Sequence, residues 1–284
     1  MQSSRELKII DSHLHLWDTS RFNYSWLNTV PDINRNFFIA DYQRATTNFC
    51  IEKMVFVQCE CTPKQYLQEV AFVTEQAGID NRIQGIVAYA PMEKGKDISQ
   101  DLRLLSANSL VKGVRKMYDD NPEICYSKPF LDALNLLPLH NFSFDISCKP
   151  FALPATIKMI RSCPDTVFII DHLGKPDIKN NGIAEYIKNM EVLASFPNVM
   201  AKISGLITEA DPHIWTGSDL RPYVEYAITC FGYDRLMFGG DWPVVLLAGD
   251  FERWVNVLLS LLEDSSAEEV AKVFYTNAQR IYKL

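Results

Sequence analysis

Two of the five histidines in this 284-residue chain lie one residue apart, in the segment IIDSHLHLWD at residues 9–18. His13 and His15 end an apolar run that predicts a β-strand. Because side chains alternate along a strand, both imidazoles should project from the same face. Such a pair suits two ligands on one metal ion, or two donors on one carbonyl oxygen. A pair of satisfied core histidines is the alternative without chemistry.

Two further polar groups follow apolar runs in the same way. His172 comes at the end of TVFIIDHLG, and Asp241 comes after the two glycines of RLMFGGDWP. An aspartate in that position is poorly placed to be an ordinary solvated charge. Beside histidines it predicts a general base for water or a metal ligand. A cap on the following helix is the structural alternative.

The elements that must position these groups alternate between two kinds of pattern. Segments with helical periodicity separate short apolar or β-branched runs, and residues 63–78 and 219–232 are the clearest helices. Strands alternating with helices predict parallel βα units. The eight apolar runs lie at residues 8–17, 53–59, 82–90, 110–116, 142–149, 166–174, 199–206 and 235–243.

Eight βα units in a chain of this length predict a (β/α)8 barrel. A doubly wound open sheet is the alternative, but no glycine-rich dinucleotide fingerprint follows the first strand. No linker, repeat or low-complexity segment divides residues 1–284, so we expect one domain. Residues 21–38 should form a long loop over the face where barrel enzymes carry their chemistry.

Other strand ends add side chains that could bind a substrate. Several donors at separate positions suit a small polyhydroxylated or carboxylated ligand better than an apolar one. Taken alone, each of these charged residues is also a natural structural ion-pair partner, and the tryptophans could be packing residues. The predicted substrate-binding residues are Glu60, Arg115, Lys149, Lys202, Trp17 and Trp242, with Trp26 as a further part of an aromatic wall.

Composition excludes several classes of partner. The net charge is -7 and no run of Lys or Arg occurs, so nucleic acid is not an expected partner. No apolar stretch approaches the ~20 residues of a membrane span, and the polar start MQSSRELK lacks the pattern of a signal peptide. Seven cysteines without a framework spacing fit reduced thiols. We therefore expect a cytoplasmic protein with a small-molecule substrate. Homo-oligomer formation is left open.

Together these motifs resemble a known family. The segments DSHLHLW, GVR, DHLGKP, KISGL, FGGDWPV and YTNAQRIY occur in this order over nearly the whole chain. The sequence is similar to the amidohydrolase superfamily, and more narrowly to its amidohydrolase-2 branch. That branch includes sugar lactonases of the fuconolactonase and rhamnonolactonase type and the 2-pyrone-4,6-dicarboxylate lactonase.

The resemblance implies a distorted (β/α)8 barrel that hydrolyses a lactone. Asp241 matches the aspartate that acts as general base, and Arg115 matches a substrate anchor. His13, His15 and His172 match positions that hold a divalent metal or, in metal-independent lactonases, polarise the substrate carbonyl. With Asp241 they form the expected metal ligands.

One departure from the family pattern limits the expected metal content. Binuclear members carry a carbamylated lysine at the end of strand four and a histidine at the end of strand five. Here strand five ends in DISCK, and Lys112 lies too early in strand four to bridge two ions. We expect one divalent ion, zinc or another, while activity without metal remains open.

The sequence therefore predicts a hydrolase that opens the ring of a small polar lactone, such as a sugar aldonolactone, by base-activated attack of water. No Gly-x-Ser-x-Gly occurs, so a serine hydrolase has no support. Two alternatives remain. One is a metal-dependent decarboxylase of a small aromatic or unsaturated carboxylic acid, and the other is a barrel that binds a sugar acid without turning it over.

Overall fold

The apolar runs form one eight-stranded sheet whose strand order follows the sequence. The computed structural model describes residues 6–284, without the side chain of Glu185. Each strand pairs in parallel with the next, as predicted. The strands are β1 (Lys8–Leu14), β2 (Cys50–Val57), β3 (Ile83–Tyr89), β4 (Val111–Arg115), β5 (Ser143–Ile146), β6 (Phe168–Ile170), β7 (Val199–Ile203) and β8 (Leu236–Phe238).

The sheet curls into a nearly closed barrel, and its two edges meet just beyond β8. The amide of His15 donates to the carbonyl of Trp242 at 2.8 Å, and the amide of Asp241 donates to the carbonyl of His13 at 2.8 Å. We call these two hydrogen bonds and the four residues that make them the closing seam. The predicted (β/α)8 architecture is confirmed, and the seam lies at the carboxyl end of β1.

Helices connect successive strands on the outside of the sheet. The helices predicted at residues 63–78 and 219–232 are confirmed, and the second ends at Gly232. The α-helices are α1 (Ile39–Ala45), α2 (Tyr66–Ile79), α3 (Ser99–Ser106), α4 (Lys128–Leu134), α5 (Leu153–Ser162), α6 (Ile183–Ala194), α7 (Leu206–Glu209), α8 (Gly217–Phe231), α9 (Phe251–Leu261), α10 (Ala267–Ala271) and α11 (Asn277–Ile281). In the described part of the chain, no helix combines the length and apolar character that crossing a membrane requires.

The loop at residues 21–38 reaches over the barrel mouth, as predicted. It contains two short 3-10 turns, Ser25–Thr29 and Pro31–Ile33. The indole of Trp26 donates to the carbonyl of Cys59 at 2.8 Å, and the amide of Thr62 donates to the carbonyl of Asn23 at 3.0 Å. These contacts tie the loop to the segment that follows β2.

The barrel interior below the mouth is packed with side chains from several strands. One buried apolar cluster contains Ile10, Val55, Val57, Val87, Ile169 and Met237, and Tyr282 and Ala278 near the end of the chain complete it. The pairing of β1 with β2 shifts between Asp11 and Leu14. In a regular strand Ile10 and His13 would face opposite sides, because they are three residues apart. The shift changes which residues face inward, so both side chains point into the barrel.

Candidate active site

The four predicted residues His13, His15, His172 and Asp241 come together at the carboxyl ends of the strands. The Nε2 atoms of His13 and His15 lie 3.2 Å apart. Asp241 Oδ1 lies 3.7 Å from His13 Nε2 and 3.5 Å from His15 Nε2. Asp241 Oδ2 lies 4.0 Å from Nδ1 of His172. All four side chains are buried. We call these four residues the histidine–aspartate cluster.

The two glycines before Asp241 let β8 approach β1 closely. A Cβ on Gly239 would lie 2.7 Å from Cβ of His13, and a Cβ on Gly240 would lie 2.5 Å from Oδ2 of Asp11. The amide of Gly240 donates to the other carboxylate oxygen of Asp11 at 2.7 Å. Because any larger residue would push the strands apart, the glycine pair allows Asp241 to reach the histidines.

Unusual backbone angles concentrate at this rim. Within residues 6–284, eight non-glycine residues have positive φ, and five of them belong to the rim: Glu60, His172, Leu173, Lys175 and Asp241. Such conformations each cost about 1–3 kcal/mol and persist where the surrounding structure holds them. They are common at ligand sites, so the backbone itself supports the interpretation of this rim as functional.

The histidine–aspartate cluster fits one divalent cation. Nδ1 of His15 donates to the carbonyl of Val57 at 2.7 Å, so Nε2 of the neutral ring presents its lone pair to His13. The triangle formed by His13 Nε2, His15 Nε2 and Asp241 Oδ1 has sides of 3.2, 3.7 and 3.5 Å. Ligands about 2.1 Å from a tetrahedral ion lie about 3.4 Å apart.

His172 stands next to this triangle. One ligand atom each from His13, His172 and Asp241 lie within 4.8 Å of one another. Nδ1 of His172 is hydrogen-bonded to the hydroxyl of Ser204 at 2.9 Å, which leaves Nε2 for a ligand. Among the residues described, no second group of His, Cys, Asp or Glu is arranged in this way. The structure therefore offers one candidate cation site.

A set of buried charges lies beneath the histidines. Lys202 Nζ lies 2.6 Å from Asp145 Oδ2 and 3.0 Å from Asp171 Oδ1. Arg115 Nη1 lies 3.1 Å from Asp171 Oδ2, and the hydroxyl of Tyr282 donates to Asp145 Oδ2 at 2.6 Å. We call these five residues the buried charge cluster. Lys202 has no exposed surface, so the structure does not bring it to a position where a substrate could touch it.

Burial and neighbouring charges set the ionisation of the histidine–aspartate cluster. Burial alone would raise the pKa of Asp241, but His172, His15 and His13 lower it to a value far below the ordinary one. Burial lowers the pKa of His172 to about 4 and lowers that of His13 as well. At neutral pH the site thus combines an ionised Asp241 with neutral imidazoles at His13 and His172, the forms needed to bind a cation or accept a proton.

A cavity of about 830 Å³ opens above the cluster and is lined by His15, His172 and Asp241. The predicted residues Glu60, Arg115 and Lys149 also line it. The other charged residues of its wall, which sequence reasoning missed, are Lys116, Asp119, Asp120, Lys175 and Glu209. Lys116 and Lys175 follow the motif residues Arg115 and His172 closely. This proximity in the sequence could have predicted that both lysines line the cavity.

The aromatic residues divide differently from the prediction. Trp26 and Tyr89 line the cavity. Trp17 is fully buried instead, and its indole donates to the carbonyl of Arg35 at 2.7 Å. Trp242 is 2% exposed and packs edge-on against Phe37. Neither Trp17 nor Trp242 is among the residues that line the cavity.

One buried carboxyl group behind the cavity wall makes stability depend on pH. Oε1 of Glu69 accepts hydrogen bonds from the amide of Cys59 and the hydroxyl of Tyr24, but burial raises the pKa of Glu69 from 4.5 to about 7. At pH values between 4.5 and about 7, the folded state therefore binds more protons than the unfolded state. Glu69 should therefore contribute a loss of stability of about 3 kcal/mol as pH rises through this window.

We expect Glu69→Gln to lack this loss. The measurement is the free energy of unfolding in urea at pH 4.5 and pH 8 for the wild type and the variant. Glu75→Gln on the same helix is the matched control, because Glu75 is exposed and pairs with Arg21. If Glu69→Gln and the wild type lose the same free energy over this range, another group causes the dependence.

Known proteins resemble this chain over nearly its full length. The family model described as Amidohydrolase matches residues 10–284. The chain is 30% identical to an L-fucono-1,5-lactonase of Burkholderia ambifaria over 285 residues, which cover 97% of this chain and 95% of the relative. It is 22% identical to an L-rhamnono-gamma-lactonase of Scheffersomyces stipitis, with 98% and 99% covered.

A solved structure matches in the same way. An amidohydrolase of Burkholderia multivorans with bound zinc superposes on this chain with a TM-score of 0.88. The two are 25% identical, and the match covers 97% of this chain and 99% of the other.

Proposed function

Since the chain belongs to the amidohydrolase family, as its motifs predicted, we propose that it is a lactonase that opens the ring of a sugar aldonolactone. The observation that carries the proposal is the convergence of an ionised Asp241 with the imidazoles of His13, His15 and His172 at the floor of a polar cavity. The names of the two lactonase relatives support the same substrate class.

The charges around the cavity favour a neutral, hydroxyl-bearing substrate. Cations and carboxylates alternate in the wall, with Arg115, Lys116, Lys149 and Lys175 against Glu60, Asp119, Asp120, Glu209 and Asp241. A lactone with several hydroxyl groups can donate to the carboxylates and accept from the cations. A dicarboxylate would need an excess of cations, which this wall lacks. The opened product is an anion, so the same wall should favour its release.

Asp241 is the general base in the proposed reaction. Its pKa lies far below neutral, so it is ionised and can take a proton from a water molecule that attacks the lactone carbonyl. The carbon–oxygen bond of the ring then breaks. Asp241, now protonated, gives its proton to the departing ring oxygen, so the base is regenerated in the same cycle.

Fixed donors should stabilise the negative charge that develops on the carbonyl oxygen. His172 lies in the wall with Nδ1 held by Ser204. Arg115 is anchored by Asp171 and by the carbonyl of Gln58, and its Nε has no acceptor among the residues described. These two side chains are the protein groups that we assign to substrate binding at the reacting carbon.

We assign His13, His15 and Asp241 as ligands of one divalent ion, zinc. Two imidazole nitrogens and a carboxylate oxygen are ligands that zinc accepts, and the related amidohydrolase with bound zinc supports this choice. When bound, such an ion would act as a Lewis acid on the lactone carbonyl.

The direct test follows acid release from a panel of aldonolactones and pyrone carboxylates with a pH indicator, after subtraction of the uncatalysed rate. The protein is used as purified, after chelation, and after addition of Zn²⁺ to the chelated sample. We expect rapid hydrolysis of a sugar lactone that falls on chelation and returns with zinc. An unchanged rate after chelation would refute the metal assignment. Loss of CO2 from a carboxylic acid, with no lactone opened, would show a decarboxylase, and binding without turnover would show a sugar-acid binding protein.

Gly205 is expected to be essential because it packs directly beneath the reacting groups. Its φ is +60°, and a Cβ there would overlap the imidazole of His172 and lie 3.0 Å from Oδ2 of Asp241. Gly205→Ala should lower kcat/KM by about 10²-fold, the cost of a displacement of about 1 Å at a catalytic group.

Gly232→Ala is the matched control for this variant. Gly232 has a φ of +64°, but a Cβ added there would meet no atom within 4 Å, so this variant shares the backbone strain without the clash. Both variants are compared in kcat/KM and in thermal midpoint. Equal losses of kcat/KM in the two would show that strain alone, and not contact with His172 and Asp241, causes the effect.

A further inference from the structure

The two imidazoles of the His-x-His motif leave an unusual gap between them. Nδ1 of His15 donates to a carbonyl, so the Nε2 of a singly protonated ring can only accept. This atom faces Nε2 of His13 at 3.2 Å. Two lone pairs at that distance repel each other, so either a proton on one of the two Nε2 atoms or a cation must lie between the two rings. The position of the proton on His13 therefore decides what can occupy the gap.

Nδ1 of His13 has one donor and one acceptor within equal reach. Lys202 Nζ lies 3.3 Å away and can only donate, and Asp171 Oδ1 lies 3.3 Å away and can only accept. When the proton is on Nε2, Lys202 donates to Nδ1 and Nε2 donates to His15. When the proton is on Nδ1, this N–H donates a hydrogen bond to Asp171, and Nε2 presents a lone pair to the gap. Each tautomer thus has a partner already in place.

Asp171 Oδ1 is poorly satisfied in the first of these arrangements. It is fully buried, lies 3.0 Å from Lys202 Nζ, and accepts no well-directed hydrogen bond from any described residue. A buried acceptor left in this state carries an uncompensated desolvation penalty, which is larger when the acceptor is charged. A proton on His13 Nδ1 would relieve that cost. Asp171 Oδ1 is therefore available to accept a hydrogen bond from Nδ1 in the second tautomer.

We propose that His13 changes tautomer when a divalent cation binds, and that Asp171 is the positioning residue that accepts the hydrogen bond from the new Nδ1–H. One N–H bond breaks at Nε2 and one forms at Nδ1 by exchange with solvent, so the ring stays neutral and no net proton is released from it. Lys202 keeps its two carboxylate partners and gives up only its contact with Nδ1. The proposal deepens the cation site assigned above. Its test needs no substrate, so it can fail while lactone hydrolysis stands, and the reverse.

The first test reads the tautomer directly. The full chain is labelled with 15N in its histidine rings, and two-bond 1H–15N spectra are recorded after chelation and after loading with Zn²⁺. The His13 signals are assigned by their disappearance in His13→Asn. We expect the protonated nitrogen of His13 to be Nε2 in the chelated protein and Nδ1 in the loaded protein, while His15 keeps its proton on Nδ1 in both. A His13 spectrum with the same tautomer in both samples would overturn the proposal.

The second test isolates Asp171. In Asp171→Asn the amide oxygen can face either His13 Nδ1 or Arg115 Nη1, and the amide nitrogen then opposes the other donor. We expect Zn²⁺ affinity, measured by competition with a chromophoric chelator, to fall about 10–100-fold, the usual cost of losing such a partner. Asp145→Asn is the control, because it removes the same charge from the buried charge cluster without contact to His13. An equal change of Zn²⁺ affinity in both variants would overturn the assignment of Asp171 as the positioning residue. If Asp171→Asn does not fold, the wild-type spectra alone decide.

Discussion

Asp241→Asn is expected to lower kcat for lactone hydrolysis on the order of 10³-fold, because an amide cannot accept the proton of the attacking water. The variant should fold. Asp241 has a φ of 52°, and asparagine is among the residues that adopt this left-handed conformation most readily. The measurement is single-substrate kinetics on whichever lactone the panel identifies, together with the thermal midpoint of each protein.

The comparison for this variant is Asp264→Asn, which makes the same chemical change at an exposed position on the surface. It should match the wild type in kcat and in stability. An Asp241→Asn protein that is folded and keeps its kcat within about tenfold of the wild type would show that another group is the base.

Lys202→Met is expected to destabilise the protein by about 3–5 kcal/mol, because it leaves Asp145 and Asp171 without their shared counter-charge in the barrel interior. Both carboxylates are fully buried, so water cannot replace the ammonium group. The measurement is the free energy of unfolding in urea at pH 7. If this variant does not fold at all, the loss of stability is at least as large as predicted.

A double variant shows whether the charge, and not the shape of the side chain, is responsible. Lys202→Met combined with Asp145→Asn removes one of the two stranded carboxylates, so it should be more stable than Lys202→Met alone. The coupling free energy from the full set of single and double variants gives the strength of this pair. A Lys202→Met variant within about 1 kcal/mol of the wild type would mean that the buried charge cluster contributes little.

Much of this architecture was predictable because it depends on local patterns. Eight short apolar runs separated by helical segments predict parallel βα units, and all eight became strands. The convergence of His13, His15, His172 and Asp241 was predictable for a related reason. In a parallel barrel the carboxyl ends of all strands share one rim, so polar groups that follow strands must meet there.

The depth of a polar side chain within the barrel was not predictable. Lys202 lies within β7 at a position that could face either the rim or the interior, and the shear of the barrel decides between them. The sequence analysis did not single out Asp145 and Asp171. Their positions at apolar strands could have indicated buried ion pairs, because burying a carboxylate is costly unless it is paired. Their partners come from other strands and from Tyr282, so pairing could not be deduced without the fold.

The residues of the cavity wall show the same limit. Trp17 and Trp26 both lie between β1 and α1, yet of the two only Trp26 lines the cavity. No periodicity applies to a loop, so the direction of each ring depends on contacts with the rest of the chain. Glu209 was missed for a similar reason, because α7 is a four-residue helix whose orientation follows from packing.

The closing seam has a consequence for how the protein is made. The two segments that meet there lie far apart in the sequence, and beside the seam the hydrogen bond from the amide of Gly240 to Asp11 joins residues 229 positions apart. At ~5–20 residues per second, His13 leaves the ribosome roughly 10–50 s before Asp241. A chain cut short before β8 therefore has the histidines but lacks Asp241, and under the proposed function we expect it to hydrolyse no lactone. Activity measured in a cell would then report only molecules that have been translated beyond β8.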